Sequence, residues 1–217
     1  MNKLKSRIED AGGFRHWFAN TFWYHYKWPV IAAVVILTVL VYTTVDAIRT
    51  PKYDAKIAVI ATRNIPDEQL SGVREIFADA LGDVNGDGKV NILFRTANLY
   101  DAEYAEEYRE VFYTCLGDED YIIYLMDDLT SALYSSETMG YFDDLSELGI
   151  ESDPDNPCRR SLADLEIMRR YDAEDWYLCM LDRSLESGDE DLAAASERAL
   201  AMVNALLNSE KAADSAG

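Results

Sequence analysis

Residues 28–45 form an uncharged run of 18 residues, WPVIAAVVILTVLVYTTV. A helix rises about 1.5 Å per residue, so the run reaches roughly 27 Å, close to the about 30 Å hydrocarbon core of a bilayer. Its flanks suit that solvent. Trp23, Tyr24, Tyr26 and Trp28 gather at one end, and Tyr42 and Tyr53 lie near the other. Amphipathic rings of this kind settle at headgroup level. A core helix would instead have to hide an uncharged, β-branched segment on every face. Thr43, Thr44 and Ala47 resemble the small residues of a signal-cleavage site. A signal peptide's apolar region is shorter, about 7–15 residues. The length therefore favours a retained anchor, and no cysteine follows the run for lipid attachment. The sequence predicts a single transmembrane helix over residues 28–45.

Charge orients that helix. Residues 1–27 hold Lys3, Lys5, Arg7, Arg15 and Lys27 against Glu9 and Asp10. Residues 46–217 hold 15 bases and 38 acids, and the whole chain carries −20. The positive-inside rule puts the N-terminus in the cytoplasm and the acidic part outside the cell membrane. Leu4, Ile8, Phe14, Trp17, Phe18 and Phe22 predict an amphipathic juxtamembrane segment over residues 1–27, lying on the lipid bilayer. So acidic an outer part excludes unaided nucleic-acid binding, which needs clustered cations. A content of 49% hydrophobic and 12% aromatic residues excludes wholesale disorder.

Beyond the span, the pattern reads as a linker over 46–54, an α/β domain over 55–208 and a short polar tail over 209–217. Residues 56–62 and 90–95 are apolar runs of strand type, and residues 121–126 form a third. Between them, Pro66 opens and Gly82 closes a helical repeat through Leu70, Val73, Phe77 and Ala80. Asp101 opens a second repeat, with Tyr104, Tyr108, Val111, Phe112 and Cys115 on one face. A short helical stretch reaches Ser135, residues 161–171 read as helical, and residues 175–181 read as a fourth strand returning to the sheet. Ser187 to Glu190 has capping-box spacing before a last helix through Leu200, Val203 and Leu207. Strands alternating with helices imply right-handed crossovers. The expected fold is a single doubly wound, mostly parallel, three-layer α/β domain after one transmembrane helix.

Two segments carry a resemblance: residues 120–129, DYIIYLMDDL, and residues 141–148, YFDDLSEL, with Ala132 and Leu133 between them. With the last helix, they resemble one lobe of the extracytoplasmic solute-binding proteins that serve sugar-type importers. The arrangement also resembles membrane-anchored proteins of Gram-positive bacteria. The resemblance covers about residues 55–150 plus the last helix. Solute-binding proteins of that kind close two lobes on a ligand, whereas this chain holds one. What the resemblance implies is an accessory or interaction role.

Open α/β sheets bind ligands beyond the carboxyl ends of their strands. The candidate ligand residues there are Thr62, Asn64, Asn98, Asp127 and Asp128, with Tyr141 from the aromatic turn. A second candidate is a calcium loop. Asp83, Asn85 and Asp87 place side-chain oxygens at positions 1, 3 and 5, glycine stands at 6, and the Lys89 carbonyl falls at 7. Position 12 is Phe94 where an acid belongs, with Asp79 as the nearest substitute. Asp, Asn and Gly also build plain turns, and that reading stands beside the metal one.

Catalytic material is sparse. Both histidines, His16 and His25, precede the span, so a His-dependent triad or zinc site beyond it is excluded. Asp127 with Asp128, and Asp143 with Asp144, are carboxylate pairs of the kind glycan hydrolases use. Among so many acids such pairs also arise as solvated turns. Cys115 and Cys179 read as core residues and Cys158 as a loop residue. Two functions follow: a non-enzymatic, membrane-tethered binding or interaction module, or an envelope enzyme such as a carboxylate-dependent glycan hydrolase. A membrane or cell-wall component is the expected partner for the first.

Overall fold

The computed structural model describes residues 23–49, 52–136, 139–181 and 190–214. The juxtamembrane segment before residue 23 and residues 187–189 of the capping box lie outside them. The chain divides into two compact units, Met1–Pro51 and Lys52–Gly217.

Among the described residues of the first unit, Trp23–Arg49 forms helix α1. Its window Tyr26–Val45 is long and apolar enough to cross a membrane. Ile31, Val34, Leu37 and Leu40 are all exposed. Thr38 donates its hydroxyl to the Val34 carbonyl at 2.8 Å, and Thr44 to that of Leu40 at 2.7 Å. Such back-bonding satisfies the hydroxyls within the helix itself.

The second unit is a mixed α/β domain. Its strands are β1 (Ala55–Ala61), β2 (Ile92–Asn98), β3 (Tyr121–Asp127), β4 (Arg160–Ser161) and β5 (Trp176–Met180). Among the described residues, the helices are α2 (Asp67–Leu81), α3 (Ala105–Gly117), α4 (Asp128–Tyr134), α5 (Glu166–Arg170) and α6 (Glu190–Asp214). The sheet order is β2-β1-β3-β5-β4. β1 pairs parallel with both β2 and β3. Strand periodicity sends alternate residues to opposite faces. Ile57 and Val59 therefore join one core with α2 and α6, through Leu70, Phe77, Val203 and Leu206. Ala58 and Ile60 join another with α3, through Phe112 and Cys115. Every residue of β3 is buried, which explains its near-continuous apolar sequence. Each large side chain so buried contributes about 1.5–3 kcal/mol.

β5 is the expected fourth strand, and it runs antiparallel to β3, with Asp127 opposite Trp176. Residues 135–175, which include β4 and α5, separate α4 from β5, and β5 enters the sheet at the end where β3 leaves.

Three expectations change at their edges. The helix expected over 161–171 shrinks to α5. Arg160 and Ser161 instead pair with Leu178 and Tyr177, and the Leu162 N–H donates to the Trp176 carbonyl at 2.9 Å. Leu162, Leu165 and Met168 are buried at helix-like spacing, but the first two sit in the turn ahead of α5. Asp101 caps a turn, accepting the N–H groups of Glu103 and Tyr104 at 2.9 Å, and α3 starts only at Ala105. The polar tail expected from Ser209 is helical to Asp214, as the end of α6.

Gly82 ends α2 at φ 68°, where its N–H donates to the Ala78 carbonyl. Gly72 has a different reason to be glycine: an added Cβ would lie 2.6 Å from Tyr171 Cε2 and 2.8 Å from Ile167 Cδ1. Gly72→Ala is therefore expected to lower stability by about 1–3 kcal/mol, although alanine favours helix. Urea unfolding of the wild type and the variant checks this; a stabilised variant would mean that α5 yields without cost.

Candidate functional site

The carboxyl ends of β1, β2 and β3 meet at one end of the sheet, and chain order reverses there, because β2 and β3 flank β1 on opposite sides. The structure divides five of the six candidate residues among three environments and sets Tyr141 apart from them.

The first is a seal between β1 and β3. Asp127 is 4% exposed. One carboxylate oxygen, Oδ2, accepts the Thr62 N–H and the Thr62 hydroxyl, both at 2.6 Å. The other, Oδ1, accepts the Thr130 N–H at 2.9 Å and so caps α4. Burial pushes the Asp127 carboxyl up, but the hydrogen bonds from Thr62 and Thr130 outweigh it and hold the group below the ordinary carboxylate range. Asp127 and Thr62 thus hold the frame together and do not face a ligand.

The second environment is a cleft of about 240 Å³ beyond β1 and β2. Asn64, Thr96, Asn98 and Tyr108 line it, together with Arg63. The Asn98 amide donates to Asn64 Oδ1 at 3.2 Å, and Asn98 Oδ1 accepts the Tyr100 N–H. Arg63 donates to Gln69 at 3.0 Å and forms an ion pair with Asp175 at 3.1 Å. The cleft therefore presents amides, a hydroxyl and a phenol beside a guanidinium already paired.

The third surrounds Arg159. Its guanidinium lies 4.3 Å over the Tyr177 ring, pairs with Asp153 at 3.3 Å and faces Asp128 at 3.9 Å. It also donates to the Ser131 hydroxyl at 3.0 Å. Asp128 is exposed, beside a half-buried cation. Tyr141 stands apart from the cleft, half-buried against the core that holds Phe112 and Phe142.

No family model, curated protein or solved structure matches this chain. Its chemistry has to be judged from the side chains themselves. The other acidic pair is also engaged in a turn: Asp144 Oδ1 accepts the Ser146 N–H and hydroxyl at 2.8 and 2.6 Å. Cys115, Cys158 and Cys179 are all buried thiols. Burial pushes the Cys179 thiol far up, which leaves it a poor nucleophile. The sequence had marked neither Arg159 nor Tyr108. An arginine at the end of a Pro/Asn loop gives no periodic signal, and Tyr108 follows the same apolar spacing as the core residues of α3.

The Asp83 loop is closed by its own backbone. Asp83 accepts the N–H groups of Gly86 and Gly88 at 2.8 Å and of Asp87 at 3.2 Å. Asn85 and Asp87 accept the N–H groups two residues on. Asp54, from outside the loop, accepts those of Val84, Asn85 and Asn91 at 2.7–3.0 Å. Among the described residues no group of three or more His, Cys, Asp and Glu side chains has a metal-holding geometry. Asp79 lies exposed on α2, and Phe94 belongs to β2.

Two outcomes are expected. Asp127→Asn should cost about 1–3 kcal/mol near neutral pH, since buried donors lose a charged acceptor. A carboxyl depressed in the folded state stabilises above its unfolded value of about 3.9, and that contribution is lost as pH falls through the lower folded value. The gap between wild type and variant should therefore narrow on acidification from about pH 6 to about pH 3, as read by thermal melts; a constant gap would remove the charged-cap account. For the loop, replacing chelator with about 5 mM calcium, ample for a weak extracellular site, should leave the melting temperature unchanged. Asp54→Ala should lower it. A calcium-dependent rise of several degrees would establish the metal instead.

Proposed function

We propose that this chain is a membrane-tethered, non-enzymatic binding module. Residues 28–45 cross the cell membrane with the N-terminus inside, and the acidic domain stands in the extracytoplasmic space. In this reading the domain is a three-layer, doubly wound lobe of the solute-binding type. It uses the carboxyl-end cleft of β1 and β2 to take a neutral, hydroxyl-rich ligand, such as a segment of wall glycan.

The observation that carries this reading is the pairing of the cleft's charge. Arg63 is held by Gln69 and Asp175, so Asn64, Asn98, Thr96 and Tyr108 supply the recognition chemistry. Amides, hydroxyls and an aromatic ring suit sugars, which offer hydroxyl donors and acceptors and apolar C–H faces. The state of Asp127 favours binding over hydrolysis. A general acid must be protonated near its working pH, which calls for a raised pKa. Asp127 shifts in the opposite direction and is fully bonded. Asp128 would be left without its sequence partner. The basic residues before α1 and the acidic residues after it support the orientation.

The test uses the full chain in nanodiscs, titrated with an N-acetylglucosamine tetramer. Saturable binding should shift the Asn64 and Asn98 side-chain amide resonances. Asn98→Ala should weaken binding at least about tenfold, the loss of one or two good hydrogen bonds, and Asp128→Asn should leave it unchanged. Cleavage of the tetramer that disappears in Asp128→Asn would replace the module with the hydrolase. Protease added to intact cells expressing the chain should remove the domain; full protection would overturn the topology.

A further inference from the structure

The opposite end of the sheet holds a second cleft, of about 230 Å³, at the amino ends of β1 and β3. Its apolar floor comes from Leu81 at the end of α2, Ile123 of β3, and Ala199 and Met202 of α6. The alanines at 195 and 199 open it, because residues four apart share one face of α6 and neither side chain fills the space. Its rim is polar and includes Tyr53, Asn85 and Arg198.

The charges on that rim are not equivalent. Lys56 donates to Asp118 at 3.2 Å, pairs with Asp120 and lies 5.6 Å from the centre of the Tyr121 ring. Asp54 spends both oxygens on three backbone N–H groups. Arg198 alone among these groups is half-buried with no ion pair or hydrogen bond among the described residues. A guanidinium carries five donors in a planar fork that matches a carboxylate, and partial burial without a partner is costly. The remaining half of the pair is best supplied by a ligand.

We propose that this cleft is a second binding site, for a small monocarboxylate with a short apolar body, whose carboxylate pairs with Arg198 while its tail lies on Leu81, Ile123 and Met202. Its volume lies below the roughly 300–1,000 Å³ of drug-sized sites, which suits a small ligand body. The neighbouring acids select a monoanion. A phosphate dianion would share the cleft with Asp54 and Asp120, whose like charge disfavours two negative charges more than one. The site shares no lining residue with the cleft at the carboxyl ends.

Hexanoate and its neutral isostere hexanamide serve as probes, titrated into the full chain in nanodiscs. Hexanoate should bind saturably and at least about tenfold more tightly than hexanamide, the worth of one charge-assisted pair. Arg198→Gln should abolish that preference, and Arg198→Lys should keep part of it. Ala195→Leu retains the arginine and fills the cleft, and it should lose both probes while melting near the wild-type temperature. Equal binding of acid and amide, hexanoate affinity unchanged in Arg198→Gln, or no saturable binding of hexanoate to the wild type would each overturn the proposal. Should Arg198→Gln fail to fold, Ala195→Leu and the acid–amide comparison decide alone. Asn98→Ala should leave hexanoate binding untouched, which separates this site from the one at the carboxyl ends.

Discussion

A buried carboxylate at the end of the central strand organises the domain. Asp127 closes β3, starts α4 and fastens Thr62 at the end of β1 through two bonds of 2.6 Å. Buried charge is tolerated only when hydrogen-bonded throughout, and here every donor comes from the frame itself. Several features follow. α4 leaves β3 directly, and the chain returns through residues 135–175 to pair as antiparallel β5. Trp176 is thereby set opposite Asp127, and its neighbour Asp175 is placed to hold Arg63. One carboxylate thus sets the local geometry of the strand ends, and the open cleft is displaced from the β1–β3 seam to the β1–β2 side.

The same residue shows how a motif changes meaning when it folds. Adjacent acids after an apolar strand suggest a ligand site or an acid–base pair. In the structure Asp127 turns inward to cap a helix and Asp128 turns outward toward Arg159. Consecutive side chains at a strand-to-helix junction diverge, so adjacency in sequence separates the two carboxylates functionally. Asp83, Asn85 and Asp87 follow a similar logic. Their oxygens satisfy N–H groups that a tight loop would otherwise leave bare, and Asp54 completes the set from the strand's approach.

The two ends of the sheet differ in how their charges are compensated. At the carboxyl ends Arg63 and Arg159 are both engaged with acids. At the amino ends Lys56 is engaged, while Arg198 has no such partner among the described residues. In a segment, residues 46–217, that carries 38 acids against 15 bases, most cations find a carboxylate. A half-buried arginine without one is therefore the more informative feature. The polar cleft and the amphipathic cleft favour different ligand chemistries, and the proposed module would combine them on one tether.

Period and composition, which need no tertiary contact, determined much of this protein. An uncharged run of bilayer length and the helix it forms follow from local hydropathy. The strands β1, β2 and β3, the helices between them and the stop at Gly82 follow from apolar spacing and backbone freedom. The placement of Asn64 and Asn98 at one cleft was legible because parallel strands end together. Tertiary structure decided what depends on partners distant in sequence. The direction of β5 is fixed by its long-range pairing with β3, which sets Trp176 opposite Asp127. The conversion of residues 160–161 to strand came from pairing with β5. Whether a given acid faces solvent, a helix end or a backbone turn was settled by which N–H groups the fold brought to it. Hydropathy is summed locally along the chain, whereas a hydrogen bond needs a second group at a fixed distance, and only the folded chain supplies that distance.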